Sequence, residues 1–387
     1  MTTVDRAFLD GLVADLVRIN SVNPGLSPDG PGERDIAAFT ATTLERLGLT
    51  VTRHEPVPGR VSVTGRLRGT GMGRSLMLNA HVDTVGVEGM ADPFSGMIRD
   101  GRLYGRGAYD MKGALAACIG AVKALIDDGV RLAGDLIVAA VADEEDASIG
   151  TMDLAGKIHV DGAIVTEPTA LDLCVAHKGF VWIELVVEGR AAHGSRPELG
   201  VDANVRMARV LARVGDLIDE LADRASHRLV GPPSLHIATV SGGTGLSTYA
   251  SRCVAGLERR TIPGETEEQV LHEIDGVLEA ARHADPSLLV ARRHLLTRDP
   301  FEVAVTSPLA RAVSASIEGV LHHPPDVVGD TPWMDSAILA AHGVDTVVCG
   351  PDGAGAHAVE EWVDLDSVAR LAEVLADAAR RYCGEGD

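Results

Sequence analysis

Along the first 180 residues, segments with apolar residues at helical spacing alternate with short, continuously apolar runs. Apolar residues recur at helical spacing over 5–18, 33–47 and 112–128, which predicts amphipathic helices there. Between them lie short runs, such as SLMLNA and DLIVAAVA, that are apolar on both faces. The predicted strands span 50–54, 60–68, 75–80, 135–142 and 161–166. Because such strands need cover on both sides, this pattern predicts an α/β fold, with a mainly parallel sheet flanked by helices.

The pattern changes near residue 180. A strand, FVWIELVVEG, is followed by helical spacing over 201–222 and by two further strands, LHIATVSG and SRCVAGLERRT. A helix over 265–284 and the strand LLVARRHLL complete the order β-α-β-β-α-β. This order is that of a ferredoxin-like domain, which is large enough to fold around a core of its own.

The first pattern returns after about residue 298. The predicted elements there are a helix over 306–320, a strand over 344–349 and a helix over 364–382. We therefore predict one discontinuous domain, formed by residues 1–179 and 296–387, with a second domain, 180–295, inserted into it.

Composition and charge narrow the class of protein. The 387 residues carry 35 basic and 56 acidic side chains, so the net charge of −21 disfavours binding to nucleic acid. The five cysteines are scattered without a C-x-x-C pair, which excludes a cysteine zinc site and a disulfide framework. The N-terminus lacks a signal-peptide pattern, and the longest apolar run, Leu136 to Ala142, is too short to span a membrane. We therefore expect a soluble, cytoplasmic protein.

Carboxylates and imidazoles lie at the ends of several predicted strands or in loops that adjoin them. They are His81 and Asp83 in HVDTV, Asp110 in GRGAYDMKG, Glu144 and Glu145 in ADEED, Glu167 in TEPT, and His357 in GAGAHAVEEWV. Taken singly, each has an ordinary structural explanation: an Asp before a helix is a good N-cap, and an acidic run suits an exposed loop. Ligands bind at the carboxyl ends of strands in open α/β sheets, and imidazole with carboxylate suits zinc, cobalt or manganese. There are enough ligands for two metal ions bridged by one carboxylate.

These motifs resemble those of the dizinc amidohydrolase and exopeptidase family, which includes acetylornithine deacetylase, succinyl-diaminopimelate desuccinylase, aminoacylase and glutamate carboxypeptidase. The resemblance covers nearly the whole chain and extends to EGRAAHGSRPELGVDAN and ERRTIPGE in the inserted segment. It implies a zinc-exopeptidase-like α/β domain, and an inserted ferredoxin-like domain that serves as a lid and in dimerisation. It also implies two divalent metal ions, most often zinc, with cobalt or manganese as alternatives.

The resemblance assigns roles to the residues of the site. His81, Asp110 and Glu167 would hold one metal ion, and Asp110, Glu145 and His357 the other, with Asp110 bridging. A cis peptide bond is implied after Asp110. The list is completed by Asp83, whose carboxylate would accept the second N–H of the His81 ring, and by Glu144, the implied general base. In an extended segment, Glu144 and Glu145 would point in opposite directions, one towards water and one towards metal.

Two further residues come from the inserted segment. His193 matches a family histidine that reaches across a dimer interface and stabilises the tetrahedral oxyanion, which implies a homodimer formed through about 180–295. Arg260 matches an arginine that binds the substrate carboxylate, and its neighbour Arg259 would point to the other face of the strand. An asparagine found in many members near residues 247–249 is absent here. Trp333 could line the substrate pocket or pack in a core.

The resemblance implies hydrolysis of the amide bond of an N-acyl amino acid by a hydroxide that bridges the metals. The motifs around Thr248 to Glu265 resemble those of the acetylornithine deacetylase branch. A dipeptidase or carboxypeptidase of the same family is the alternative, and a non-catalytic paralogue that binds metal or ligand is a further one. A metal-independent esterase or amidase would need a G-x-S-x-G nucleophile elbow, which the sequence lacks.

Overall fold

A computed structural model describes residues 3–386, which divide into two compact units. The first contains the described residues up to Val175, Val303–Val328 and the described residues from Met334 onward. The second contains Ala176–Glu302 and the short segment Gly329–Trp333. The predicted boundaries placed that short segment in the discontinuous domain, 1–179 and 296–387, instead. Its backbone bonds to the second unit, since the Lys178 N–H donates to the Asp330 carbonyl.

The elements follow in chain order. The helices are α1 (Arg6–Arg18), α2 (Arg34–Arg46), α3 (Gly113–Asp127), α4 (Ile149–Ala155), α5 (Ala203–Ala222), α6 (Glu267–Ala284), α7 (Pro308–Leu321), α8 (Ser336–Ala341) and α9 (Leu365–Cys383). The strands are β1 (Thr50–Val57), β2 (Arg60–Leu67), β3 (Leu76–His81), β4 (Met97–Arg99), β5 (Arg102–Tyr104), β6 (Leu136–Val141), β7 (Gly162–Val165), β8 (Leu173–His177), β9 (Gly179–Glu188), β10 (Ser234–Gly242), β11 (Arg252–Thr261), β12 (Leu289–Arg298), β13 (Phe301–Glu302), β14 (Val327–Asp330), β15 (Asp345–Val348), β16 (Gly353–Ala354) and β17 (Trp362–Asp364).

The main sheet has a parallel centre. Its order runs β1-β2-β6-β3-β7-β15-β8, and β6, β3, β7 and β15 are mutually parallel. At the two margins, β1, β2 and β8 pair antiparallel to their neighbours. All residues of β3 and β6 are buried, as expected for strands covered by helices on both faces. The predicted α/β fold with a mainly parallel sheet flanked by helices is confirmed.

The second unit has its own core. Its antiparallel sheet, in the order β10-β11-β9-β12, packs one face against α5 and α6. Side chains such as Ile183 and Leu257 of the sheet are buried against Val210 of α5 and Ile274 of α6. The chain order β9-α5-β10-β11-α6-β12 is the predicted β-α-β-β-α-β arrangement.

Two expectations about the environment of the chain can be compared with the structure. Among the described residues, no helix combines the length and the apolar character that crossing a membrane requires. All five cysteines are buried and none forms a disulfide.

Candidate metal centre

Three neighbouring parallel strands bring the candidate ligands to one edge of the main sheet. His81 is the last residue of β3 and lies opposite Val141, the last residue of β6. Glu144 and Glu145 follow Val141 directly in the next turn. On the other side of β3, Asn79 pairs with Val165 of β7. His81 and Glu167 each come two residues after this pair, so they lie next to each other. The strand ends therefore collect one imidazole and three carboxylates.

Asp110 reaches this edge on an irregular turn, Ala108–Lys112, at the start of α3. Gly107 before it has φ +79°, and a Cβ there would stand 2.7 Å from Thr84, so glycine is required. The peptide bond from Asp110 to Met111 is cis, which confirms that expectation.

Asp110 offers one carboxylate oxygen to each candidate imidazole. Its Oδ1 lies 2.9 Å from His81 Nε2, and its Oδ2 lies 3.3 Å from His357 Nε2. Glu167 approaches the first imidazole, with Oε1 at 3.6 Å from His81 Nε2. Glu145 approaches the second, with Oε2 at 3.1 Å from His357 Nε2. The two sets share Asp110 and otherwise consist of the residues expected for each metal ion.

The spacing of these atoms fits metal coordination. Two ligand atoms bonded to one tetrahedral zinc ion stand about 3.3 Å apart, given metal–ligand distances of about 2.0–2.1 Å. The separations of His357 Nε2 from Asp110 and Glu145, 3.3 and 3.1 Å, fall close to this value. Imidazole and carboxylate are also the donors that zinc, cobalt and manganese accept. The side chains present therefore fit divalent cations on both sides of Asp110.

The electrostatics of the cluster also favour bound cations. Burial, followed by repulsion from Glu167, raises the pKa of Glu144 well above its ordinary value. Burial also raises the pKa of Glu167 and of Glu145. His81 is fully buried, which disfavours its charged form, yet the carboxylates of Glu167 and Asp110 raise its pKa well above the usual value. The buried carboxylates thus repel one another, and bound divalent cations would neutralise this negative charge.

Asp83 supports the site in a different way from the one expected. The carbonyl oxygen of Asp83, at 3.0 Å, accepts the hydrogen bond from His81 Nδ1, whereas its carboxylate Oδ1 is 3.6 Å away. The carboxylate instead accepts the backbone N–H groups of Glu144 and Glu145, at 3.1 and 3.2 Å. Glu144 and Glu145 lie in a turn, so the expected extended segment is wrong. The turn directs both of their N–H groups to the carboxylate of Asp83.

Glu144 lies beside the first group of ligands. Ligand atoms of His81, Glu144 and Glu167 all lie within 4.8 Å of one another. The ion-pair partners of His357 are instead Asp110 and Glu145. Glu144 therefore lies beside the candidate ligands, where a general base would have to lie.

The residue that holds the Asp110 turn, Glu361, was not predicted from the sequence. The buried carboxylate of Glu361 accepts the N–H groups of Gly107, Tyr109 and Asp110 at 3.0, 2.9 and 3.1 Å. It also forms a 2.7 Å ion pair with Arg106. The only sequence signal was its place in GAGAHAVEEWV, four residues after His357.

Asp335 is a second buried carboxylate near the cluster that sequence analysis did not single out. It accepts a hydrogen bond from the Thr151 hydroxyl, and its other oxygen has no partner among the described residues. Burial raises the pKa of Asp335 to about 6. It belongs to the WMDSA segment, of which only Trp333 drew attention.

His193 and Arg260 belong to the second unit. His193 is exposed, and its Nδ1 lies 2.8 Å from the hydroxyl of Ser195. The Arg259 side chain is fully buried and paired with Glu265 at 2.5 Å, so it is not available to a ligand. Arg260, on the opposite face of β11, has a side chain that is 31 % exposed, and its Nε donates to Glu258 at 2.7 Å.

Metal binding should release a proton from His357. Hydrogen bonds to Asp110 and Glu145 raise the pKa of His357 to about 10 in the metal-free protein. The ring is therefore protonated near neutral pH, and a metal ion must displace that proton. The apparent zinc affinity should rise about tenfold per pH unit for this proton until the pH reaches about 10. Calorimetry in buffers of different ionisation enthalpy counts the protons, and His357→Ala should release one fewer. Equal proton release by both proteins would contradict this prediction.

The sequence is similar to known hydrolases along most of its length. A model of peptidase family M20/M25/M40 matches residues 77–381. The N-formyl-4-amino-5-aminomethyl-2-methylpyrimidine deformylase of Bacillus subtilis (strain 168) is 27 % identical, over 92 % of this chain and 91 % of that protein.

Solved structures share the fold along almost the full length. Aminopeptidase PepT from Bacillus cereus ATCC 10987 superposes with a TM-score of 0.80 at 17 % identity, covering 98 % of this chain and 99 % of that one. Human carnosine dipeptidase 1 gives a TM-score of 0.73 at 17 % identity, covering 97 % of this chain and 96 % of that one. At these identities the likeness concerns the fold alone.

Proposed function

Because the chain belongs to peptidase family M20/M25/M40 and is therefore a metal-dependent amide hydrolase, we propose that it is a deacylase that cleaves the amide bond of an N-acyl amino acid. The observation that carries the proposal is the position of Asp110. Its two oxygens face His81 and His357, at 2.9 and 3.3 Å, and Glu144 lies close to His81 and Glu167.

We further propose that the site holds two divalent metal ions, most readily zinc, with cobalt or manganese as alternatives. His81, Asp110 and Glu167 would hold one ion, and Asp110, Glu145 and His357 the other. Bound ions of this kind polarise a carbonyl oxygen and lower the pKa of a water molecule. Glu144 takes the proton of the attacking water and passes it to the nitrogen of the departing amine. The position of Glu144 beside His81 and Glu167 supports its role as proton carrier.

Substrate recognition is assigned to the second unit. Arg260 binds the carboxylate of the amino acid, because its guanidinium offers a planar fork that matches a carboxylate. Its partial exposure, in contrast to the buried Arg259, supports this choice. His193 stabilises the oxyanion of the tetrahedral intermediate from a second copy of the chain, so the active form is a homodimer. The reduced, buried cysteines suit a cytoplasmic enzyme.

Arg260→Lys should weaken substrate binding more than it slows turnover. Lysine keeps the charge but loses the paired hydrogen bonds to the carboxylate. The KM for an N-acyl amino acid should rise about tenfold, corresponding to roughly 1.4 kcal/mol of lost binding. The KM for the matching N-acyl amide, which lacks the carboxylate, should not change. Equal KM changes for both compounds would remove Arg260 from carboxylate recognition.

A mixture of two inactive variants tests the role of His193. His193→Ala and Glu144→Ala should each be nearly inactive alone. In mixed dimers, one of the two sites combines an intact Glu144 with the partner's intact histidine, so up to about a quarter of the wild-type activity should return. If verified mixed dimers recover nothing, His193 acts within its own chain or has no part in the reaction.

A second candidate function comes from an aromatic cluster in the second unit. Aromatic residues make up only 3 % of the chain, yet Phe180 packs on Trp182 and Trp333, with ring centroids 5.0 and 6.5 Å apart. The Arg260 guanidinium lies 5.2 Å from the centre of the Phe180 ring. Such a surface would accept a planar heteroaromatic amine, and a relative is named as a deformylase of an aminomethylpyrimidine.

A panel of amides separates the candidates. It contains N-acetyl and N-formyl amino acids, dipeptides, and N-formyl aminomethylpyrimidines, and free amine is measured with zinc-loaded enzyme. The proposal predicts release from N-acyl amino acids at the highest kcat/KM. Preference for dipeptides would instead identify a dipeptidase or carboxypeptidase, and preference for the heterocycle a deformylase. No release from any compound by protein that binds zinc would favour the non-catalytic alternative.

A further inference from the structure

A buried ion pair lies behind the turn that carries Glu144 and Glu145. Arg60, the first residue of β2, donates from Nε to Glu33 at 2.9 Å and from Nη2 to the same carboxylate at 2.5 Å. The same Nη2 lies 2.6 Å from Oδ1 of Asp143, the residue directly before Glu144. The side chain of Glu33 is fully buried and that of Asp143 is 2 % exposed. Neither carboxylate is a metal-ligand candidate.

A buried amide links this pair to the metal centre. Asn23 Nδ2 donates to Asp143 Oδ1 at 3.0 Å and to Asp83 Oδ2 at 2.8 Å. Its Oδ1 accepts the Gly25 N–H at 2.8 Å, which fixes the orientation of the amide. Because one amide group contacts both aspartates, the position of Asp143 and that of Asp83 depend on each other.

Asp83 completes the connection. Its carboxylate accepts the backbone N–H groups of Glu144 and Glu145, and its carbonyl holds the His81 ring. We call this set the Arg60 network; its members are Glu33, Arg60, Asp143, Asn23 and Asp83. Through Asp83, the network reaches the implied base, Glu144, and two implied metal ligands, His81 and Glu145.

The charges and the backbone show why the network needs its guanidinium. Three of its buried side chains are carboxylates, and Arg60 is its single cation. Asp143 also adopts the left-handed conformation, with φ +72°, which is unfavourable for a residue other than glycine. Without Arg60, nothing within the network would offset the repulsion among these carboxylates. The turn after Asp143 would then lose its fixed position.

We propose that Arg60 is a positioning residue of the metal centre: through Asp143, Asn23 and Asp83 it fixes the turn that presents Glu144 as the base and Glu145 as a metal ligand. The inference rests on the proposed function for the roles of Glu144 and Glu145. It assigns to Arg60 control of metal affinity and of kcat, with no part in substrate binding.

The test combines Arg60→Met with zinc binding and steady-state kinetics. Zinc affinity is measured by competition with a chromogenic chelator, on protein verified as folded. The variant should bind the weaker zinc ion about tenfold less tightly, and at saturating zinc its kcat should fall by about 10–100-fold. Its KM should stay within twofold. Arg60→Lys should recover part of both losses, since it restores the charge without the fork.

Arg66→Met is the matched control. Arg66 lies on the same strand and pairs with Asp135 at 2.8 Å, outside the network. A role of Arg60 in stability alone predicts that both variants lower the melting temperature while zinc affinity and kcat stay at wild-type values; that result would overturn the proposal.

Asn23→Ala provides a second test that leaves the pair of Arg60 and Glu33 intact. It should reproduce the loss of zinc affinity and kcat. If Arg60→Met does not fold, Asn23→Ala alone tests whether the network positions the metal centre. Wild-type zinc affinity and kcat in Asn23→Ala would overturn the proposal. Zinc affinity needs no substrate, so a wrong substrate class would leave this readout unaffected.

Discussion

Glu144→Gln is expected to lower kcat by about a thousandfold, within the ~10²–10⁴ range typical of a general acid–base. Glutamine keeps the size of the side chain and can neither accept nor return a proton at neutral pH. Zinc content and melting temperature should stay close to wild type, because the implied ligands remain in place. The measurements are steady-state kinetics on the best substrate of the amide panel and metal analysis of the dialysed protein.

Asp146→Asn is the control for this variant. Asp146 belongs to the same acidic run and is exposed. Its replacement removes one negative charge at a similar place in the sequence, and kcat should remain within twofold of wild type. If Glu144→Gln keeps its activity, Glu144 is not the base. If both variants lose activity equally, the effect comes from the charge of the turn.

Asp110→Asn should remove most of the bound metal and with it the activity. The two oxygens of Asp110 face His81 and His357 at 2.9 and 3.3 Å, and an amide replaces one of them with a group that cannot bind a cation. Loss of an outer contact of a metal site costs about 10–100-fold in affinity, and loss of a shared ligand should cost more than that. Dialysis against a weak chelator, followed by metal analysis, should leave fewer than one zinc ion per chain.

Asp128→Asn serves as its control. Asp128 is an exposed residue at the opposite end of α3, the helix that follows Asp110. This variant should keep the wild-type zinc content and kcat. Retention of two tightly bound ions by Asp110→Asn would show that Asp110 does not bridge them.

Much of the fold follows from local patterns in the sequence. The apolar runs predicted as strands 75–80 and 135–142 form β3 and β6, and the helix predicted over 112–128 forms α3. Elements of two or three residues, such as β16 and β17, were not predicted. Strands this short have no periodicity of their own and exist because a neighbouring strand pairs with them.

Some residues of the candidate site could likewise be predicted from local sequence, and others could not. The ligands at the strand ends could be located because a motif and a strand end lie side by side in the sequence. Glu361 could not, because it bonds to the Asp110 backbone across 251 residues of sequence. Arg60 and Asn23 likewise contact Asp143 across 83 and 120 residues. Such partners are brought together by the packed fold, and no local pattern indicates them.

We propose that the cluster around Asp110 holds divalent metal ions used for amide hydrolysis. The most direct measurement titrates zinc into chelator-stripped protein and follows heat and amine release from an N-acyl amino acid in parallel. The account predicts no activity without metal, binding of two zinc ions per chain, and recovery of activity as these sites fill. In Glu144→Gln, the same two ions should bind without turnover. Full activity in stripped protein, or activity that is independent of bound zinc, would contradict it.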